Sequence, residues 1–262
     1  MEILVCIKQV PASSEVKVDS QTGALIRESV SGIINPTDRN ALEESLRLKA
    51  KHGGNVTVLT MGPQQAEEAL REALAMGADK AVLLTDRLFA GSDTAATSYI
   101  LWKAVQKLGK FDLTLCGRES TDGVTAQVGP QLAELLGIPQ ITFVRKIELK
   151  DGVLRAERGL KGAFETVEGN LPLLLTVNKE INISREITID DILTACREKE
   201  IISWGADDIG AERSKIGLEG SLTVMLRSYI PAREKKGVIF AGPVKDAVRD
   251  LVQELRKKQL IP

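Results

Sequence analysis

The sequence predicts an α/β protein, in which a mostly parallel sheet carries helices on both faces. Two observations support this fold class: short apolar runs alternate with longer amphipathic segments in residues 1–144, and the run ILVCI at residues 3–7 has no polar position. Strands joined through helices form parallel sheets with right-handed crossovers, and strands covered on both faces are continuously apolar.

Strands and helices alternate in order along these residues. The predicted strands are residues 3–7, 56–61, 81–84, 113–116 and 141–144, with a short additional strand at 24–27 as an open alternative. The predicted helices are residues 37–52, 63–76, 92–108 and 125–136. Pro36 biases Asn35 toward extended backbone, so that Thr37 or Asp38 can cap the first helix, and Gly53 ends it.

After residue 144 the pattern changes to antiparallel β structure and then loses its periodicity. Residues 145–178 are predicted to be antiparallel, because two strands flank Lys150-Asp151-Gly152, a hairpin signal, and LPLLLTV at 171–177 is a further buried strand. A helix is predicted near 189–196, and a last amphipathic helix at 244–257. We divide the chain into an α/β domain, residues 1–200, and a C-terminal arm, residues 201–262, which lies on another subunit or is a disordered tail.

The composition excludes several classes of function. Lys plus Arg number 35 against 36 for Asp plus Glu, giving a net charge of −1, and aromatic residues are 3% of the chain. A nucleic-acid-binding surface normally has basic excess and aromatic stacking platforms, so we expect no nucleic-acid partner. The single histidine, His52, excludes a multi-histidine metal site, and a Ser-His-Asp triad would require His52 as its base. We therefore expect no metal and no catalytic side chain, but a chain that holds another group.

Cysteine spacing and hydropathy predict a cytoplasmic protein. Cys6, Cys116 and Cys196 are scattered, odd in number and form no C-x-x-C pair, which does not suit a disulfide framework or an iron–sulfur site. Cys6 and Cys116 lie in apolar runs and are interpreted as small buried hydrophobes. The sequence MEILVCIKQV does not resemble a signal peptide, and no apolar stretch approaches the ~20 residues of a membrane span, so we expect no membrane insertion.

Four segments are predicted to lie together at one edge of the sheet. Ligands of open α/β sheets bind beyond the carboxyl ends of the strands, where helix N-termini also point. The segments at such positions are Cys6–Lys8, Asn35–Asp38, Met61–Pro63 and Gly117–Val128. The last segment, GRESTDGVTAQV, has a glycine at a strand end and a polar turn before a helix, which favours an anion-binding nest of free N–H groups. The alternative is a capped helix without a ligand.

Two nucleotide motifs are missing from the sequence, and two threonines stand out instead. There is no G-x-x-x-x-G-K-[ST] and no strand-linked G-x-G-x-x-G, which argues against a Walker-type NTPase and an ordinary Rossmann dehydrogenase. Thr94 and Thr97 are three positions apart at the start of the third helix, so their hydroxyls face the same side. Helical threonines are usually back-bonded or solvent-facing, and the alternative is that these two bond a polar ring at the same rim.

Seven stretches, in order along roughly residues 1–200, carry a family resemblance. They are VCIKQVP at 5–11, INPTDRNALEESLRLK at 34–49, VLTMGP at 58–63, ALAMGADKAVLL at 73–84, GSDTAATSY at 91–99, GRESTDGVTAQVGP at 117–130 and LPLLLTV at 171–177. Together they resemble the beta subunit of an electron transfer flavoprotein. The resemblance implies an adenine-nucleotide-binding, Rossmann-like domain whose C-terminal arm embraces a flavin-carrying alpha subunit in a heterodimer.

The resemblance also implies where a nucleotide, either AMP or a second FAD, is bound. Carried over to the matching positions, the contacts are Cys6, Asn35, Pro36, Thr37, Asp38, Met61, Gly117, Arg118, Glu119, Ser120, Thr121, Asp122, Gly123, Val124, Thr125, Ala126, Gln127 and Val128. In such a protein the flavin carries the redox chemistry, and the chain supplies position and electrostatics. On this basis Thr94 and Thr97 are candidates to hydrogen-bond the N5 or O4 edge of a flavin. Lys8 or Arg118 would place positive charge near the flavin or the nicotinamide.

The family resemblance leaves two subtypes. Ordinary members pass electrons from acyl-CoA dehydrogenases to a quinone pathway and hold AMP, whereas bifurcating members hold FAD and take a hydride from NADH. The bifurcating type sends one electron to ferredoxin or flavodoxin and the other, through the alpha-subunit FAD, to a partner flavin dehydrogenase of acyl-CoA or hydroxy-acid type. The segments at 35–38 and 122–128 are more similar to the bifurcating type. Two departures concern side-chain contacts: Val124 where Asp is common, and Arg118-Glu119-Ser120 where a Lys-Gln-Ala type of sequence is common.

A second resemblance concerns docking. Residues 183–197, ISREITIDDILTACR, resemble the recognition loop that docks the partner dehydrogenase. Ile189 stands near the position of an apolar anchor, and its alternative interpretation is an ordinary amphipathic helix start. A third class of function, a nucleotide-binding, stress-protein-like domain without a redox role, is also compatible with the fold.

Overall fold

The computed structural model describes residues 1–12, 32–223 and 237–262, so the alternative strand at 24–27 lies outside the described residues. The chain divides into two compact units, Met1–Val224 and Met225–Pro262. The strands are β1 (Glu2–Cys6), β2 (Gln9–Pro11), β3 (Gly32–Ile34), β4 (Asn55–Met61), β5 (Lys80–Leu84), β6 (Leu113–Gly117), β7 (Gln140–Lys150), β8 (Val153–Leu160), β9 (Ala163–Asn170), β10 (Leu173–Val177) and β11 (Ile201–Trp204). The helices are α1 (Pro36–His52), α2 (Glu67–Met76), α3 (Thr94–Leu108), α4 (Val128–Leu136), α5 (Ile189–Glu198), α6 (Gly217–Gly220) and α7 (Val244–Lys257).

Nine of the described strands form one sheet in the order β11-β5-β4-β1-β6-β10-β7-β8-β9, and β2 pairs with β3 separately. The strands from β11 to β7 run parallel to their neighbours, whereas β7, β8 and β9 pair antiparallel. The hairpin between β7 and β8 turns at Asp151 and Gly152, whose φ angles are +50° and +79°. A mostly parallel sheet with an antiparallel extension is therefore confirmed.

One strand of the predicted antiparallel region runs the other way. The strand β10 is inserted between β6 and β7 and is parallel to both, with Leu174 opposite Thr114 on one side and Gln140 on the other. All five of its residues are buried. A continuously apolar strand suits the interior of a parallel sheet that is covered on both faces, which is why LPLLLTV joins it rather than the hairpins.

Helices cover both faces of the parallel sheet, as predicted. Ile3 packs in one core cluster with Leu42 of α1 and Leu70 of α2. The next residue along β1, Leu4, packs in a second cluster with Ile100 of α3 and Leu132 of α4. Because side chains alternate between the faces of a strand, these two clusters are the two sides of one sheet.

Most predicted helices begin and end within a few residues of the observed bounds, with two corrections. The predicted helix 63–76 starts as a 3-10 turn, Gln64–Ala66, before α2. The predicted helix 125–136 begins only at Val128, because Val124 and Ala126 have φ angles of +50° and +54°, which are outside the right-handed helical region.

The predicted C-terminal arm spans both units. Ile201–Trp204 pairs in parallel with β5 as the edge strand β11, so the first described part of the predicted arm belongs to the sheet. In the second unit, α7 occupies the predicted residues, with Val244, Val248 and Leu251 exposed. The division at residue 200 and the packing of the arm on another subunit stay predictions. Within the described ranges, every helix is too short or too polar to cross a membrane.

Candidate functional site

The sheet reverses its strand order between β1 and β6. After β1 the chain adds β4 and β5 on one side and then places β6 on the other. Open α/β sheets bind ligands beyond the carboxyl ends of the strands at such a point. Here Cys6 and Cys116 lie in register near the two strand ends, and both line a cavity of about 560 Å³. That volume is typical of small-molecule and cofactor sites.

Most of the predicted nucleotide contacts line this cavity. They are Cys6, Lys8, Asp38, Met61, Thr94, Thr97, Gly117, Arg118, Glu119, Ser120, Gly123, Thr125, Ala126, Gln127 and Val128. The cavity lining does not include Asn35, Pro36, Thr37, Thr121, Asp122 and Val124. The lining residues that the sequence did not assign as nucleotide contacts are Ile7, Ser92, Asp93, Leu101, Cys116, Gly129 and Thr223, of which Ile7 lies in a segment predicted at this edge.

Asn35 and Thr37 lie behind the loop that follows β6 and hold it in place. The Asn35 amide donates to the carbonyl oxygen of Glu119 over 2.9 Å, and its oxygen accepts from the backbone N–H of Thr121 over 3.1 Å. The Thr37 hydroxyl donates to the same Glu119 carbonyl over 3.0 Å. Because Asn35 is fully buried, water does not compete for these bonds, and they fix the loop relative to α1.

Asp38 joins the ends of β1 and β6 at the cavity wall. Its carboxylate accepts hydrogen bonds from the backbone N–H groups of Lys8, over 2.8 Å, and Gly117, over 3.0 Å. Burial raises the pKa of Asp38 to about 7, although hydrogen bonds from Asn35, Lys8 and Gly117 favour its charged form. The site therefore contains one buried carboxyl group that titrates near neutral pH.

The two cysteines of the cavity are buried, as the sequence predicts. The hydrogen bond with Cys6, together with burial, raises the pKa of the Cys116 thiol. Since the thiolate is the reactive form, a thiol held in this way is inert at neutral pH. These residues act as small apolar side chains at the base of the site.

The loop between β6 and α4 leaves backbone donors free. The helix α4 has no side-chain cap, and Ala126 just before it has a φ of +54°. Across the described part of the chain, nothing accepts a hydrogen bond from the backbone N–H groups of residues 125–129. Residues 125–129 all line the cavity. Free N–H groups at a helix N-terminus, where the helix dipole is positive, form an anion-binding site.

The basic side chains of the rim are paired with carboxylates. The Lys8 ammonium lies 2.7 Å from both carboxylate oxygens of Asp122, which ties the end of β1 to the loop. Arg118 lies 3.5 Å from Glu119 and 4.9 Å from the ring of Phe143. Lys8 and Arg118 thus each have a carboxylate partner, and their role near a flavin or nicotinamide stays a prediction. Among residues 1–12, 32–223 and 237–262, no three His, Cys, Asp or Glu side chains form a metal-binding group.

The two threonines of α3 differ in their bonding. The Thr94 hydroxyl lies 3.2 Å from the side-chain oxygen of Gln127 and accepts from the amide of Gln131, also over 3.2 Å. Thr97 lines the same cavity, and no described side chain or backbone group bonds its hydroxyl. Thr97 is thus the threonine with a hydroxyl available to a ligand.

A polar junction at the start of α3 was not assigned to the site from sequence. Asp93 caps α3 by accepting from the N–H of Ala96, and its other oxygen accepts from the backbone N–H of Thr223 over 2.9 Å. The cap itself is visible in the sequence, since Asp93 precedes the helix. No local sequence pattern marks Thr223 as a site residue, because its place at the cavity depends on its contact with Asp93, 130 residues away.

Comparison with known proteins identifies the family. Residues 22–208 match the family described as Electron transfer flavoprotein domain. An electron transfer flavoprotein subunit beta from Thermoanaerobacterium thermosaccharolyticum is 51% identical over 261 residues, covering 100% of both chains. The chain belongs to the electron transfer flavoprotein beta subunits. This family is associated with flavin, and a beta subunit implies an alpha-subunit partner.

Other relatives of this beta subunit carry more specific names. The Caffeyl-CoA reductase-Etf complex subunit CarD of Acetobacterium woodii is 45% identical over 263 residues, covering 100% of both chains. Protein FixA of Sinorhizobium fredii is 44% identical, covering 97% of this chain and 92% of its own.

The predicted docking residue of the beta subunit lies apart from the cavity lining. Ile189 is the first residue of α5, and Thr188 caps that helix in a capping box with Asp191. Ile189 is 77% exposed, and two further apolar residues of the same helix, Ile192 and Leu193, are also exposed. Its role in docking stays a prediction.

Proposed function

We propose that this beta subunit is of the bifurcating type and binds FAD in the cavity at the ends of β1 and β6. In the complex with the alpha subunit, it accepts a hydride from NADH in the cytoplasm. One electron passes to ferredoxin or flavodoxin, and the other passes through the alpha-subunit FAD to a flavin-dependent dehydrogenase of acyl-CoA or hydroxy-acid type. When bound, FAD supplies the redox chemistry, taking two electrons together and releasing them singly.

The observation that carries the proposal is the row of free N–H groups at residues 125–129. They point to an anionic ligand, because unpaired donors at a helix N-terminus bind phosphate oxygens. The loop that presents them is fixed from behind by Asn35 and Thr37, so it needs no rearrangement to bind. The residues present therefore fit the diphosphate of a flavin dinucleotide.

The extent of the cavity favours FAD over AMP. Beyond the loop the lining continues to Met61, Thr97 and Leu101, the last two on α3. AMP has one phosphate and no ring system beyond the adenosine, so it would leave this apolar part of the site without a ligand. The alternative is a non-bifurcating carrier in which AMP is structural and electrons pass between an acyl-CoA dehydrogenase and a quinone pathway.

Thr97 is the side chain we expect to hydrogen-bond the flavin ring, because no group in the described residues bonds its hydroxyl, whereas that of Thr94 is bonded to Gln127 and Gln131. The Thr97→Val variant should shift the midpoint potential of the beta-site flavin more than the Thr94→Val variant does. Spectroelectrochemical titration of both variants measures this. An unchanged midpoint in Thr97→Val would remove the assignment.

The name of one relative supports a partner that acts on acyl-CoA esters. CarD is a subunit of a caffeyl-CoA reductase–Etf complex, and it is 45% identical to this chain over its whole length. The exposed Ile189, within the segment that resembles a recognition loop, would then contact such a dehydrogenase.

The proposal is tested by coupled electron transfer under anaerobic conditions. The purified complex of alpha and beta subunits is mixed with NADH, ferredoxin and an acyl-CoA dehydrogenase, with and without the enoyl-CoA acceptor of that dehydrogenase. Bifurcation predicts that ferredoxin is reduced only when the acceptor is present. Electron transfer that never reduces ferredoxin, from a complex containing AMP, would support the non-bifurcating alternative.

A further inference from the structure

The chain between the 3-10 turn Lys179–Ile181 and α5 has no regular structure, yet α1 holds its backbone; we call residues 182–188 the docking segment. Three of its carbonyl oxygens accept hydrogen bonds from α1 side chains. The pairs are Asn40 with the carbonyl of Asn182 at 3.0 Å, Arg47 with that of Ile183 at 2.9 Å, and Arg39 with that of Arg185 at 3.2 Å. Because these bonds hold its backbone, the segment cannot relax freely, even though it has no regular secondary structure.

Glu43 lies at the centre of these contacts. Its carboxylate accepts from Nε of Arg185 over 2.7 Å, from the backbone N–H of Arg185 over 3.2 Å, and from Nε of Arg47 over 2.7 Å. The Glu43 side chain is only 5% exposed, whereas Arg185 and Arg47 are 41% and 48% exposed. Burial opposes its ionisation, but the hydrogen bonds from Arg185 and Arg47 prevail and hold the pKa of Glu43 below its usual value.

The held backbone sorts the isoleucines of this region into two sets. Ile181 and Ile187 pack against the main core cluster. Ile183 and Ile189, which alternate with them along the chain, are 88% and 77% exposed. An unrestrained segment would bury part of this apolar surface against itself. The bonds of Glu43 to Arg185 and Arg47, which we call the clamp, therefore keep two large apolar side chains in contact with water. Apolar surface maintained in this way is typical of a protein-binding site.

We propose that Glu43 is a positioning residue for the partner dehydrogenase: through Arg185 and Arg47 it holds the docking segment so that Ile183, as well as Ile189, contacts that partner. This inference rests on the proposed docking function. Pre-organising the segment removes the ordering cost from the binding step, so loss of the clamp lowers affinity for the dehydrogenase without changing the electron-transfer centres.

The test uses the complex of alpha and beta subunits with a purified acyl-CoA dehydrogenase that the wild-type complex reduces. Rates are measured against dehydrogenase concentration for Glu43→Gln, Arg185→Ala, Ile183→Ala and Ile189→Ala. Arg185→Ala is the second clamp variant in case Glu43→Gln fails to fold, because the buried Glu43 then keeps its bond to Arg47. The matched control is Lys49→Gln. Lys49 also lies on α1, and its ion pair with Asp79, at 2.6 Å, does not contact the docking segment.

We expect the half-saturating dehydrogenase concentration to rise about ten-fold in Glu43→Gln and in Arg185→Ala, as it would if the segment were competent only about a tenth of the time. The maximal rate and nucleotide content should stay at the wild-type level, and Lys49→Gln should behave as wild type. Hydrogen exchange at the backbone N–H of residue 185, which donates to Glu43, should accelerate in Glu43→Gln and Arg185→Ala but not in Ile183→Ala.

Three results would overturn the inference or part of it, and they are distinguishable. If Ile189→Ala raises the half-saturating concentration while Glu43→Gln and Arg185→Ala leave it unchanged, the docking function stands and the clamp is merely structural. If neither Ile189→Ala nor the clamp variants change it, the docking function itself is wrong. An effect of Ile189→Ala without any effect of Ile183→Ala would remove Ile183 from the contact surface.

Discussion

Two irregular segments of this beta subunit are held by one helix and leave opposite kinds of groups free. The loop 117–128 is tied to the start of α1 by Asn35 and Thr37, and the docking segment is tied to its middle by Glu43. Among the described residues, the loop leaves backbone N–H groups unpaired, whereas the docking segment and the start of α5 leave Ile183 and Ile189 exposed. Free N–H groups bind anions, and exposed apolar side chains bind protein surfaces. The groups that a fixed segment leaves unpaired or exposed therefore indicate which class of ligand it binds.

The same contrast separates the two buried carboxyl groups of α1. Asp38 meets backbone N–H groups and has its pKa raised to about 7, because burial outweighs those bonds. Glu43 meets two guanidinium groups, and its pKa is lowered although burial opposes this. The contribution of Asp38 to folding stability is therefore greatest when it is protonated, although its hydrogen bonds favour the charged form, whereas that of Glu43 is greatest when it is ionised.

The largest expected effect is a pH dependence that differs in sign between Asp38→Asn and Glu43→Gln. Folded Asp38 titrates at about 7 against 3.8 for the unfolded chain, so its stabilisation is complete below about pH 4 and is lost as pH rises through 7. Relative to Asp38→Asn, the wild-type free energy of unfolding should fall by roughly 4 kcal/mol over that range. Relative to Glu43→Gln, it should fall as the solution is acidified below the ordinary pKa of 4.5.

Urea unfolding of the nucleotide-free chain, from about pH 3 to about pH 8, measures both differences. The two variants serve as controls for each other, since both replace a carboxylate of α1 by its amide. Differences of the same sign in both variants would contradict the contrast between the two carboxyl groups.

A methyl group at residue 117 should disrupt the cavity loop alone. A Cβ at Gly117 would overlap the side chains of Asp38 and Thr37, so either the loop or the start of α1 must move. We expect Gly117→Ala to lose about 3 kcal/mol of stability and most of its bound nucleotide. The control is Gly159→Ala in β8, where a Cβ meets only the Asn178 amide at 3.8 Å. Nucleotide content measured after purification decides the matter, and a fully loaded Gly117→Ala complex would show that the loop does not form the site.

Removing the Asn35 side chain, which holds the loop from behind, should have a smaller effect of the same kind. Asn35→Ala breaks the bonds to Glu119 and Thr121, which should cost about 2 kcal/mol and weaken FAD binding about thirty-fold. The half-saturating dehydrogenase concentration should not change. Calorimetric titration of FAD into the nucleotide-depleted complex measures the affinity. Weakened docking in this variant would mean that the two segments are not independent.

The converse variant, Ile189→Ala, has the smallest expected effect. Truncating an exposed anchor should weaken docking about ten-fold, or about 1.4 kcal/mol, and leave nucleotide content at the wild-type level. Ile202→Ala, at another exposed isoleucine on the edge strand β11, is the matched control. Loss of nucleotide, or an equal effect in both variants, would break the distinction between the cavity and the docking segment.

Local chemistry explains which parts of the fold could be predicted. The alternation of apolar runs and amphipathic helices gives the parallel sheet, and Asp151-Gly152 gives the hairpin. The delayed start of α4 could not be read from the sequence, because Val124 and Ala126 have side chains that favour the right-handed region. The position of LPLLLTV between β6 and β7 depends on burial by distant elements, which no local signal contains.

The sequence predicts which segments lie at the edge of the sheet, but not which residues hold those segments from behind. The rule for open sheets brings Asp38 and the loop 117–128 to one edge, yet only the structure shows that Asn35 stands behind that loop. The same limit applies to the clamp on the docking segment. The spacing of Glu43 and Arg47 is visible as a helical pair, but the partner Arg185 lies 142 residues further along the chain.

The most direct test of the central claim is the nucleotide content of the complex of alpha and beta subunits. Acid precipitation releases the bound nucleotides, which chromatography then identifies and counts against protein. FAD bound at the free N–H groups of residues 125–129 predicts two FAD per pair of subunits, with one of them lost in Gly117→Ala. One FAD and one AMP per pair, with AMP lost in that variant, would contradict the claim and assign the cavity to a structural nucleotide.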